Sequence, residues 1–217
     1  MNSNHKGLLI VTYIFLMLLQ LYLGVANFFV AYTYLVLGGI SYSFVVLAFI
    51  HFVSLISNVI SIIVCIVGLV STNKDPSSPK VLNGYSKALL IPLFIDLINA
   101  GFMLFTTIMS ILGSGATPQL SLVLIVEIIA TSICMLMIAL LIVSLSLNKT
   151  HQLKAKKATL ISSAAIFMIL GVLTMIGQSL NGFYIVALVL QVVAYTILII
   201  TTALFKYPTE EISEKVE

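Results

Sequence analysis

Residues 120–147 read LSLVLIVEIIATSICMLMIALLIVSLSL, and residues 148–157 read NKTHQLKAKK. The first stretch holds one charged side chain, Glu127. The second holds four lysines, Lys149, Lys154, Lys156 and Lys157. A helix needs about 20 apolar residues to cross the hydrocarbon core of a bilayer. In lipid the backbone must satisfy its own polar groups, so such a run is helical. The junction therefore marks a membrane-spanning helix that meets water at a basic end.

Working outward, five further runs of the same kind occupy residues 8–37, 43–70, 88–112, 158–178 and 183–205. The chain as a whole is 61% hydrophobic and 8% charged, against roughly 25% charged residues in a soluble domain. Too few charges remain to coat a water-exposed globule. The expected fold is an all-α integral membrane bundle of about six helices, one transmembrane domain over residues 1–217, with 206–217 as a short charged tail. The first run is too long for a signal-peptide core and lacks a small-residue cleavage site, so it is read as a retained helix. At ~1.5 Å per residue it reaches ~45 Å and must tilt, bend or protrude.

The connections alternate. Residues 38–42, 113–119 and 179–182 are short, contain glycine and carry no charge, as tight turns do. Residues 72–87 and 148–157 are longer and basic, and Asp75-Pro76-Ser77-Ser78-Pro79 is a turn signal within the first of them. Every basic residue is lysine. With six spans, Lys6, Lys74, Lys80, Lys87, the cluster at 149–157, Lys206 and Lys215 all fall on one side. The positive-inside rule places that side, with both termini, in the cytoplasm of a cell-membrane protein. The basic cluster is read first as this topology signal, and second as a contact for anionic lipid, nucleic acid or an acidic partner. The stretches KGLLI, KALLI and KATLI that begin at Lys6, Lys87 and Lys157 suggest three related hairpins, although the similarity soon fades.

Chemistry within the spans rests on a few polar residues. Tyr13, Gln20, Asn27 and Tyr34 recur every seven residues on the first helix, beside small residues such as Gly24 and Ala31. Such a stripe serves as a packing seam or lines a polar path. The second helix offers His51, Ser54, Asn58 and Ser61, and the third offers Asp96 and Asn99, three apart and so on one face. Glu127 lies on the fourth, Thr174 and Gln178 on the fifth, and Tyr184, Gln191 and Tyr195 on the sixth. An ionised carboxylate at mid-membrane costs ~2.5–3.5 kcal/mol on insertion scales, so it usually faces a cavity or partner. Asp96 sits ~13 Å in from Lys87, and Glu127 ~12 Å in from the opposite end of its helix. His51 reaches nearly the depth of Glu127, which allows a contact between them. Two readings stand: a two-station proton or cation path, or protonated carboxyls hydrogen-bonded within the bundle.

Several classes fall away. Cys65 and Cys134 lie in apolar runs and read as packing residues, and no Cys/His cluster has zinc spacing. No paired-histidine haem site, nucleophile elbow or phosphate-binding glycine loop is present. The chain is expected to be neither an enzyme nor a cofactor binder, and to need a gradient or a separate motor for any transport.

In residue usage the chain resembles polytopic membrane proteins of Sulfolobus-type archaea: no Arg, abundant Ile, Leu, Ser and Tyr, and short charge-free outer loops. In span count and in lacking a motor it is similar to the membrane channel component of the crenarchaeal DNA-import (Ced) system. That resemblance implies a channel subunit with nucleic acid as cargo, other membrane subunits and a separate ATPase as partners. No motif carries it, so no site residue comes with it. The alternatives are a proton-coupled secondary transporter using Asp96 and Glu127, and a non-catalytic accessory subunit of a respiratory complex.

Overall fold

The computed structural model describes residues 3–37, 42–114, 118–147, 152–176 and 182–206. Within them, the side chains of residues 3–5, 37, 42–44, 103, 106–107, 110–114, 118–124, 127, 173–176 and 182–184 are outside the description. Six helices account for nearly all of this: α1 (Ser3–Leu37), α2 (Tyr42–Lys74), α3 (Lys80–Ser114), α4 (Pro118–Ser146), α5 (Leu153–Ile176) and α6 (Gly182–Leu204). Each is long and apolar enough to cross a membrane, and no strand occurs among the described residues. The outward side chains are those of a lipid-facing surface. Phe29, Phe49, Val67 and Met135 are all more than half exposed. Exposed apolar side chains spread over all six helices are the mark of a multi-pass membrane protein rather than of one docking patch.

Each helix packs on its neighbours in sequence, and α6 returns to α1. The bundle is thus a closed ring in which the chain runs up and down. The ring closes through Thr12 of α1 and Thr201 of α6, whose hydroxyls lie 2.7 Å apart in the interior.

The helix ends differ from the hydropathy boundaries. The expected basic connection at 72–87 shrinks to Asp75–Pro79, because α2 runs on to Lys74 and α3 already begins at Lys80. Hydropathy marks the apolar thickness, whereas backbone hydrogen bonding continues past it into water. The turn itself follows its residue types. Asp75 Oδ1 accepts from the backbone N–H and hydroxyl of Ser77, and Pro79 opens the next helix where a missing N–H costs nothing. The extra turns of α3 are amphipathic: Val81, Leu82, Tyr85 and Ala88 are buried.

The half of the ring nearest the termini is packed solid. The Tyr13 ring of α1 is wedged against Gly68 of α2 and Gly84 of α3, and a Cβ at either glycine would overlap it. Tyr13 donates to the Val81 carbonyl at 2.8 Å, and Tyr85 donates back to the Leu9 carbonyl at 2.9 Å. The two rings stand 4.4 Å apart. Ser86 and Ser144 tie α3 to α4 at 3.0 Å.

The lysine cluster divides here. Lys149 lies outside the described residues, and Lys154 is exposed. Lys156 is 1% exposed. It lies a turn inside α5, and its ammonium donates to Asn83 Oδ1 of α3. Lys157 donates to the Ala203 carbonyl in the last turn of α6, and Lys6 does the same for Asn73 in α2. Both supply a positive donor where a helix ends in unpaired carbonyls.

Candidate functional site

The site begins with a proline. Pro92 lies inside α3 and has no N–H for the carbonyl of Ala88, four residues earlier. Ser61 of α2 supplies the missing donor, its hydroxyl reaching the Ala88 oxygen at 2.8 Å. On the side away from the termini, the ring opens into a cavity of about 220 Å³.

Five helices line it. Gln20, Leu23 and Asn27 come from α1, Ser54, Ser57 and Asn58 from α2, and Pro92 and Asp96 from α3. Phe167 of α5 and Gln191 and Tyr195 of α6 complete the wall. Asp96 is surrounded by helices yet exposed to a water-sized probe, because its side chain stands in the cavity and not in the packed core. It lies within electrostatic range of Cys134 on α4 and Tyr195 on α6. No described residue donates a hydrogen bond to it, and the lining contains no cation.

The remaining polar groups fall into two sets. Some are held. Gln191 Nε2 donates to the Phe167 carbonyl at 3.0 Å, and its amide lies over Gly171, where a Cβ would come within 2.5 Å of it. Asn99, one turn beyond Asp96, donates to Ser54 Oγ at 2.9 Å and is absent from the cavity wall. His51 is turned to α1, where Nδ1 donates to Asn27 Oδ1 at 2.9 Å and the ring stacks on Tyr34. Another is free: Gln20 is 3% exposed and its Oε1 has no hydrogen-bond partner among the described residues, while Asn58 on the facing helix is 4% exposed.

Of the residues expected to form a polar path, the cavity therefore gathers Asp96, Asn58, Gln20 and Asn27. It leaves Asn99 and His51 as supports one contact away. Glu127 belongs to α4, and its side chain lies outside the described residues, as do those of Thr174, Gln178 and Tyr184. Four members of the wall escaped the sequence reading, Leu23, Ser57, Pro92 and Phe167. A proline in the middle of a spanning run was the available signal, since it breaks a helix unless a neighbour satisfies the freed carbonyl.

Chemically, the described residues of the cavity offer one acid, amides and hydroxyls, and no opposing charge. At water's liquid share of ~30 Å³ it has room for about seven waters or a small hydrated solute. Such a set can hold a cation or pass a proton, and it has no nucleophile–base pair for covalent chemistry among the described residues. No family model, curated protein or solved structure matches this chain.

Proposed function

We propose that the chain transports a small cation or a proton across the cell membrane, with both termini cytoplasmic and Asp96 as the group that binds it. One observation carries this reading: the carboxyl of Asp96 stands in a cavity within the helix ring, lined mainly by polar residues, with no cation opposite it among the described residues. Placing a carboxyl at mid-membrane is costly, and a purely structural acid would be expected to share its proton with a hydrogen-bond acceptor beside it. Asp96 has an open cavity instead.

The packed half around Tyr13 and Tyr85 acts as the closed inner gate. Alternating access then requires this layer to separate, and Pro92, whose ring removes one intrahelical hydrogen bond, gives α3 a point at which to flex. The size of the cavity and the solid layer beneath it favour a small solute over a polynucleotide strand. Nothing in the geometry calls for nucleic acid as cargo or for a separate ATPase. An accessory role in a larger complex would leave Asp96 dispensable.

The test is flux by the purified protein in liposomes, read with an internal pH dye during an imposed proton or methylammonium gradient. Asp96→Asn lowers the flux by at least about tenfold, the effect of losing one charged hydrogen-bonding partner. Glu127→Gln shows whether a second station contributes. Undiminished flux in Asp96→Asn sinks the proposal.

A further inference from the structure

The cavity wall is thin on one side. A groove of about 310 Å³ runs down the outer face between α1 and α2. Leu21, Val25, Phe28, Leu55, Val59 and Ile62 give it an apolar surface, and Gly24 forms its floor. Gln20 and Asn58 line both this groove and the central cavity. Both are buried, and Gln20 Oε1 has no hydrogen-bond partner among the described residues. At Gly24 the helices come close without sealing, since an added Cβ would meet Asn58 and Leu55 only at ordinary contact distances of 3.5 and 3.6 Å.

We propose that this seam is a lateral entrance and that the cation is a primary alkylammonium, taken from the bilayer with its tail in the groove. The inference rests on the reading of Asp96 as a cation-binding group and adds the substrate class. The chemistry matches end to end. A primary ammonium has three N–H donors and no acceptor. Asp96 provides the charged acceptor, Gln20 Oε1 provides a second that no described residue uses, and Asn58 lines the cavity beside it. The apolar groove, which shares those two amides as its inner wall, takes the alkyl tail. A fully hydrated inorganic cation would make no use of the groove.

Binding of labelled octylammonium and methylammonium to the full chain in phosphatidylcholine nanodiscs tests this, with empty nanodiscs as the blank. Two variants fill the groove from opposite walls: Gly24→Leu from α1 and Val59→Trp from α2. Val59 is 47% exposed on the outer face, so its replacement leaves the core intact. Octylammonium should bind at least about tenfold more tightly than methylammonium. Both fillings should remove that advantage without weakening methylammonium, and Asp96→Asn should weaken both ligands. Octylammonium binding that is no tighter, or that ignores both fillings, overturns the lateral entrance while leaving the cation site standing. Binding of both amines that is indifferent to Asp96→Asn, or no binding of either, overturns the cation site and this inference with it.

Discussion

The Ser61–Ala88 hydrogen bond gives the sharpest check on how the bundle is held around its cavity. Ser61→Ala removes the only donor among the described residues at the Ala88 carbonyl, which Pro92 cannot serve. Leaving a buried acceptor unsatisfied costs about 1–3 kcal/mol. Interhelical hydrogen bonds in membrane bundles average ~0.6 and reach ~1.7 kcal/mol. The Ala88 carbonyl has no intrahelical alternative, which puts it near the upper end of that range. The expected loss is therefore about 1.5 kcal/mol, close to a tenfold shift in the unfolding equilibrium. In Pro92→Ala the new N–H of residue 92 can serve the carbonyl itself, so adding Ser61→Ala to that variant should cost less than ~0.5 kcal/mol. Reversible unfolding of the four proteins in mixed detergent–lipid micelles measures the cycle. An equal cost of Ser61→Ala in both backgrounds refutes the reasoning, because the hydroxyl would then be serving something other than the proline's orphan.

Gly68→Ala and Gly84→Ala each drive a Cβ into the Tyr13 ring and should destabilise by ~1–3 kcal/mol as overpacked sites do; in a Tyr13→Leu background, where the ring is gone, thermal unfolding should show most of that loss recovered. Asn83→Leu strips Lys156 of its buried acceptor and should cost ~1.5–3 kcal/mol, whereas Lys154→Met, on the exposed side of the same helix turn, should stay within ~0.5 kcal/mol of the parent by the same unfolding assay. Thr12→Val breaks the contact with Thr201 that closes the ring; a crosslink between cysteines placed on α1 and α6 near that level should then form more slowly than in the parent.

The legible and illegible parts of the fold separate along physical lines. Length and hydropathy are local properties, so six spanning helices and a shared basic end could be read directly. Helix ends could not. Lys80 to Lys87 is polar enough to resemble a loop, yet Val81, Leu82 and Tyr85 fall on one face and bury it against α1. The seven-residue stripe on α1 was half informative. Gln20 and Asn27 reach the cavity, but Tyr13 lies in the packed half and Tyr34 stacks on His51. An α-helix drifts by ~20° per heptad, and equal spacing does not give equal surroundings along a long helix. Asp96 could be found because a carboxyl in an apolar run is conspicuous. Its neighbour Asn99 could not be assigned, since its partner Ser54 lies on another helix. The burial of Lys156 beside Asn83 is likewise a property of the assembled ring and leaves no trace in the local composition.

The account turns on Asp96 being a solvent-reachable, cation-binding carboxyl. Treating the reconstituted protein with a carbodiimide, and mapping the modified acids by mass spectrometry with and without methylammonium, measures that directly. The expected result is modification of Asp96 that methylammonium slows by at least about tenfold, while exposed Asp75 in the α2–α3 turn reacts at the same rate in both conditions. An Asp96 that stays unmodified while Asp75 reacts, or one whose rate the cation leaves unchanged, would contradict it.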